Sequence, residues 1–257
     1  MKKISIRTDV LGLPLRQSLD LAAQWGVSAV ELDARNQVRP SEFSDTAIRQ
    51  LRKMLDDRNL RVSSLRFVTR RGYDVAADLD RRIDATKDVM KLAHRLGANL
   101  VINSLGRIPA ADSIARAPFE QVIDDLGRHG ARVGAFLAAE TGQDDPAELR
   151  AVLDASEDGY VAVALHPGQL IIHQHDIANA VTVLGSRVGI VHAVDGVLDL
   201  AEGRGLTVPL GQGIADFPSI LGRLEEHGFD GFRVVGRRGG GGDVAQSLAY
   251  LREVSRA

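Results

Sequence analysis

Cysteine is absent from this chain of 257 residues. That absence removes disulfide scaffolds, thiolate zinc sites, iron–sulfur clusters and cysteine nucleophiles together. An excess of either charge is missing as well: Lys plus Arg total 32 against 34 Asp plus Glu. A dedicated nucleic-acid binder normally carries a basic surplus, so no nucleic-acid partner is expected. No apolar run approaches the roughly 18 residues of a membrane span. Met1-Lys2-Lys3-Ile4 opens directly into a short alternating segment and lacks the long apolar core of a secretion signal. The expected location is therefore cytoplasmic, with no membrane partner. Neither a dinucleotide fingerprint nor a Walker motif occurs: the turn after the first strand reads Asp9-Val10-Leu11-Gly12-Leu13. There is also no linker and no low-complexity tract, so residues 1–257 read as one domain. The one biased segment is Gly239–Gly242.

What is present is a strand followed by a helix, repeated eight times. Ile4-Ser5-Ile6-Arg7 alternates, a helical run extends from Pro14 to Trp25, and Ala29-Val30-Glu31-Leu32 follows as a second strand. The clearest helix spans about 80–96, where Ile83, Val89, Met90, Ala93 and Leu96 recur at helical spacing and Gly97 suits the C-cap. Further strands are expected at 60–67, 99–103, 135–140, 160–166, 188–194 and 231–235, and a last helix at Val244–Val254. Strands alternating with helices imply a parallel sheet. Eight such units in about 250 residues point to a closed (β/α)8 TIM barrel, with a doubly wound open sheet as the other arrangement.

In such a barrel the functional site lies at the C-terminal ends of the strands. Strand alternation then selects the side chains that face inward. Phe136, Ala138 and Glu140 share one face of the fifth strand. Tyr160, Ala162, Ala164 and His166 share one of the sixth, and Val188, Ile190 and His192 one of the seventh. If those faces point inward, Glu140, His166 and His192 meet at the barrel mouth. The plainer reading of each histidine alone is a hydrogen-bonded core residue. Glu31 and Arg7 lie on the interior phase of the second and first strands, as substrate contacts or as mutual ion pairs. Lys2, Lys3, Lys53, Lys87 and Lys91 are the only lysines, and none ends a strand, so a Schiff-base aldolase has no nucleophile. His173 and His175 read as solvated loop residues. The corner Gly236-Arg237-Arg238-Gly239 offers glycine-rich backbone and two guanidinium groups to an anion, against Asp243, expected to be a helix N-cap.

Several segments resemble one family. Leu137-Ala138-Ala139-Glu140, His192-Ala193-Val194-Asp195-Gly196, Val208-Pro209-Leu210-Gly211-Gln212-Gly213 and Gly228-Phe229-Asp230-Gly231 are similar to the xylose-isomerase-like TIM barrels, the sugar phosphate isomerase/epimerase group. The resemblance implies a small-molecule, sugar-like substrate that is a polyhydroxylated carbonyl compound. It also implies a divalent metal held by Glu, Asp, His and Glu from strands five to eight. Glu140 and His192 match two of these positions; the aspartate position is His166, the histidine usual three residues later is Gln169, and the final glutamate is Gly236. Two expectations follow. Either Glu140, His166 and His192 hold Mn, Fe or Zn, with Glu140 or Glu31 moving a proton and Arg7, Asn103, Gln169, Asp195, Arg237 and Arg238 binding substrate. Or the barrel is metal-free and catalytically degenerate, and binds a sugar-like or anionic ligand. A homo-oligomer is compatible with both. If the fourth ligand position is refilled, Arg237 or Arg7 is the expected occupant.

Overall fold

The fold was taken from a computed structural model. It describes residues 3–156 and 158–255, so Met1, Lys2, Glu157, Arg256 and Ala257 lie outside it. Eight parallel strands close into a barrel: β1 (Ile4–Arg7), β2 (Ala29–Asp33), β3 (Arg61–Arg66), β4 (Leu100–Asn103), β5 (Phe136–Glu140), β6 (Ala162–Leu165), β7 (Val188–Ala193) and β10 (Phe232–Val235), with β10 pairing back onto β1. The helices lie between successive strands, among them α1 (Leu15–Gln24), α2 (Asp45–Asp56), α3 (Leu79–Arg95), α4 (Arg116–Val133) and α5 (Pro146–Asp154). The second half carries α6 (Pro167–Ile172), α7 (Ile177–Leu184), α8 (Phe217–Glu226) and α9 (Val244–Val254). This is a single (β/α)8 TIM barrel, as the eightfold alternation implies. Among the described residues no helix is long and apolar enough to cross a membrane.

The apolar side chains sort into two layers. Leu100, Ile102, Ala138, Ala162, Ala164, Ile190 and Val234 fill the barrel interior, while Val101, Leu137, Ala139, Val163 and Val191, on the opposite strand phase, pack under the helices. Burial of this second layer removes apolar surface at about 25 cal/mol per Å2, and the amphipathic helices supply its outer half. The helix starts are local in origin: Ser44, Asp145, Asp176 and Asp216 each accept a backbone N–H from the first turn of α2, α5, α7 and α8.

Two elements lie beyond the alternating pattern. The long connection after β7 contains an antiparallel pair, β8 (Asp195–Val197) with β9 (Leu206–Val208). The sixth strand stops at Leu165, and His166 becomes the N-cap of the short helix α6 instead of a strand residue. Pro167 at the first helical position imposes that switch, because it has no N–H for a sheet ladder and a φ suited to a helix start.

Candidate active site

The interior phase is the one expected from the sequence, and it carries polar side chains to the mouth. A register shift between β2 and β3 at Val30/Glu31 turns both Ser63 and Ser64 inward. Ser63 Oγ lies 2.8 Å from Ser5 Oγ, and Ser64 donates to Glu31 Oε2 at 2.7 Å. Above them the mouth opens into a cavity of about 720 Å3 lined by Arg7, Arg66, Glu140, His166, Gln169 and Arg237 among others.

Four charged groups form a continuous chain that runs from its floor into the barrel interior. Arg66 donates to both oxygens of Glu140, at 2.7 and 2.9 Å. His192 lies between two carboxylates: its Nε2 is 3.0 Å from Glu31 Oε2, and its Nδ1 is 3.2 Å from Glu140 Oε1. The first contact is an aligned hydrogen bond; the second is an ion-pair contact off the hydrogen-bond direction. Arg7 adds its Nε at 3.7 Å from Glu31 and a 2.6 Å bridge to Asp9. Burial opposes charge on both Glu31 and His192, and the mutual pairing overcomes it. The Glu31 pKa is pulled down to about 2 and that of His192 is raised above the ordinary histidine value. Burial likewise opposes charge on Glu140, but Arg66 and His192 hold it well below the usual carboxylate range.

His166 sits in the same cavity with the opposite character. Its Nδ1 accepts the backbone N–H of Gln169 at 3.1 Å and its own N–H is held by Thr141 Oγ1 at 2.9 Å. Burial lowers its pKa to about 3, against the pull of Glu140 and with the help of His192, Arg66 and Arg7. It is therefore a neutral imidazole, with its proton on Nε2 because Nδ1 is the acceptor.

The donor atoms of Glu140, His166 and His192 lie within 4.8 Å of one another, a grouping able in principle to hold a metal ion. As the donors are paired here, their charge is already engaged within the protein. Both oxygens of Glu140 are taken by a guanidinium. The carboxylates of Glu31, Glu140 and Asp9 are matched by Arg7, Arg66 and the His192 imidazolium. A dication would enter a site whose negative charge is already spent, beside two fixed positive groups. The fourth ligand position is also closed. Gly236 has φ +137°, and a Cβ there would lie 2.9 Å from Arg7 Cβ and 3.0 Å from a methyl of Val10. Arg7 packs its aliphatic stem against this position, but its guanidinium pairs with Asp9 and Glu31 and that of Arg237 with Asp243, so the partner of Glu140 is Arg66 and not the expected Arg7 or Arg237. Gly236→Ala should lower unfolding free energy by about 1–3 kcal/mol, the cost of a non-glycine residue in that backbone region; urea denaturation measures it.

Other expected contacts move. Glu31 does not line the cavity; it is buried beneath His192 and orients it. Asn103 lies on the outward phase of β4, where its amide donates to Tyr73 at 3.0 Å and accepts from Thr69. Ser104, one residue on, faces the cavity in its place. Asp195 accepts backbone N–H bonds from Gly196, Gly211, Gly213 and Ala215 at 2.8–3.1 Å, so it fastens the 211–215 loop to the hairpin and has no capacity left for a ligand. Asp243 occupies the N-cap position of α9 without a side-chain cap, its carboxylate being taken by Arg237 at 2.6 Å. Arg238 and His173 reach the cavity rim, and His175 points to the Gln143 carbonyl. Arg66 was legible in principle, since it stands two residues beyond Ser64 on β3 and shares its inward phase.

Comparison with known proteins agrees with this architecture. The family model described as xylose isomerase-like TIM barrel matches residues 19–254. A xylose isomerase domain protein from Planctomyces limnophilus superposes with a TM-score of 0.88 at 20% identity, covering 99% of this chain and 97% of its own. A xylose isomerase-like TIM barrel protein from Mycobacterium smegmatis, in complex with magnesium, gives 0.77 at 17% identity over 99% and 96%. A sugar phosphate isomerase/epimerase from Parabacteroides distasonis gives 0.72 at 17% over 98% and 93%. No curated protein matches the sequence. The chain belongs to the xylose isomerase-like TIM barrel family.

Proposed function

We propose that this barrel takes a small polyhydroxylated carbonyl compound of the sugar class at its mouth and moves a proton on it without a resident metal. The observation that carries this reading is the bidentate Arg66–Glu140 pair at the cavity floor. Related folds with epimerase activity in their names, including an L-ribulose 3-epimerase, support the substrate class. Proton abstraction next to a carbonyl places negative charge on the carbonyl oxygen, and that charge needs an electrophile. Two are built in: the Arg66 guanidinium and the neutral His166, whose Nε2–H donates without releasing its proton. Glu140 is the base. As charge develops on the substrate oxygen, Arg66 shares its donors with it, and Glu140 recovers basicity as it loses its partner.

Gly236 places no carboxylate on the opposite face of the substrate. A reaction that inverts a carbon with one acid and one base therefore lacks its second group there. Transfer between neighbouring carbons on a single face, as in aldose–ketose interconversion, needs one carbon base, Glu140, which takes the proton from one carbon and returns it to the next while the hydroxyl proton passes between the two adjacent oxygens of the enediolate. His192 and Glu31 are positioning residues that hold Glu140 from below.

The test is solvent-deuterium incorporation across a panel of aldoses, ketoses and their phosphates, with elemental analysis of the same protein. Exchange is expected to survive chelator treatment, and Glu140→Gln should reduce it roughly 10^2–10^4-fold. One observation favours a second reading: His192 Nδ1 has no aligned hydrogen-bond partner and points toward the Glu140, His166 pair. If exchange stops with chelator and returns with Mn, Arg66 must leave Glu140 in the active state and that reading replaces ours. No exchange on any sugar would leave a binding barrel.

A further inference from the structure

A second cavity of about 730 Å3 lies beside the mouth, between the connections that follow β2 and β3 and the first turns of α3. Six arginines line it: Arg35 and Arg39 from the first connection, Arg70 and Arg71 from the second, Arg81 and Arg82 from the helix. Only two acids join them, Asp78 and Asp88, and Asp88 is already bridged to Lys91 at 3.0 Å. Among the described residues, only the guanidinium of Arg39 of these six pairs with a carboxylate, Glu42 at 3.0 Å. Arg35 donates to the Val68 carbonyl at 3.0 Å, and Arg82 donates to the carbonyls of Val75 and Ala77 while its Nε is buried without a partner. The side chains of Arg70, Arg71 and Arg81 have no hydrogen-bond or ion-pair partner among the described residues. The floor is apolar, with Ala34 and Val89 buried and Phe67 beside them. Elsewhere in this protein arginines are commonly paired, as at Arg58–Asp20, Arg116–Glu120 and Arg187–Asp154. Like charges gathered unpaired around one concavity repel each other and concentrate anions there. Arg35 and Asn36 line this groove and the mouth cavity alike, so the two meet along one wall.

We propose that this groove is an anion site, and that it holds the phosphoryl or carboxylate end of a ligand whose carbonyl end reaches the barrel mouth. The anion site stands on the groove alone; the link to the mouth rests on the function proposed above. The planar guanidinium presents paired donors that match phosphate and carboxylate geometry, and three of these groups are free to turn toward a guest. The substrate class thus narrows to sugar-like compounds with an anionic group remote from the reacting carbon.

Titration calorimetry with inorganic pyrophosphate and with citrate tests the site, one probe for each source of charge. Saturable one-to-one binding that weakens with added salt is expected for at least one of them. The tighter probe identifies the anion. The double variant R70A/R71A should weaken that binding roughly 10-fold or more, the value of a charged hydrogen bond lost. Arg16→Ala, on the exposed face of α1, should leave it unchanged, and so should Glu140→Gln, which separates this site from the proton-transfer chemistry. Circular dichroism verifies that the surface variants fold. Absence of saturable binding, or equal weakening by Arg16→Ala, would overturn the proposal. So would tight binding of a single-stranded oligonucleotide that pyrophosphate does not displace, because it would assign the groove to a nucleic acid.

Discussion

Arg66→Met should convert the site from one that excludes divalent metal into one that binds it, and should destabilise the fold at the same time. Both effects have the same origin. Among the described residues Arg66 is the only cation that engages both oxygens of Glu140, and the two side chains are 16% and 12% exposed. Removing one member of a buried pair leaves the other charge uncompensated, at a cost of about 3–5 kcal/mol. Methionine fills the volume of the guanidinium stem without replacing its charge, so the deficit is electrostatic. A divalent cation can supply the missing charge by displacing the extra proton of His192 and shifting that of His166 off Nε2, since Glu140, His166 and His192 already lie within 4.8 Å of one another. Calorimetric titration with Mn is expected to show no binding by the parent and saturable binding by the variant. Mn should also raise the variant's denaturation midpoint, as binding to the native state alone requires. Equal Mn affinity in parent and variant would sink the argument that the guanidinium stands in for a metal.

The second large effect is expected at His192. His192→Leu leaves Glu31 with Ser64 and the more distant Arg7, and Glu140 with Arg66 alone. Two buried carboxylates share the loss, and about 3–5 kcal/mol of stability should go with it. The pH profile identifies the cause. The native His192 pKa is raised, so its contribution is complete below the unfolded value of 6.5 and fades as pH rises through the native value. Glu31 has a native pKa of about 2 against 4.5, so its contribution is complete above 4.5 and is lost as pH falls toward 2. His166 adds to the acid loss: the native ring stays neutral down to about 3 while the unfolded chain takes up a proton below 6.5. The parent should thus be most stable near pH 6.5 and lose stability on both sides. In His192→Leu the alkaline decline should disappear and the acid decline should shrink toward the part that burial of His166 supplies, because the pairing that lowers the Glu31 pKa is gone. Urea denaturation between pH 3 and 9 measures both arms, and an unchanged alkaline slope would contradict the imidazolium assignment.

Much of the mouth was legible because the barrel converts strand phase into position. Glu140 and His192 fall on the interior phase of β5 and β7, His166 stands one residue past the end of β6, and closure of the sheet brings them together. Asn103 fails for the same reason: one residue out of phase, it packs under α3, while Ser104 takes the inward place. Asp195 looked like a ligand contact because it stands in a recognisable segment. Its role depends on the 211–215 loop folding back to offer four N–H groups, and nothing in the sequence fixes that return path.

The sequence by itself determined the eightfold alternation, the closed sheet and the ligand-type residues at its mouth. Hydrophobic period and chain length are local properties that leave few packings open. It also showed, at Gly236 and Gln169, where metal ligands are missing. The partner of Glu140 was decided only by the tertiary structure. Arg66 and Glu140 are 74 residues apart, and His192 and Glu31 are 161 apart. Pairing among charges so distant in the chain depends on which side chains the closed barrel brings within a few ångströms of each other. In that low-dielectric interior a single guanidinium at 2.7 Å outweighs any preference that residue type alone expresses. The same holds for the arginine groove, whose members come from three separate segments that only the packing of α3 against the strand ends gathers around one cavity.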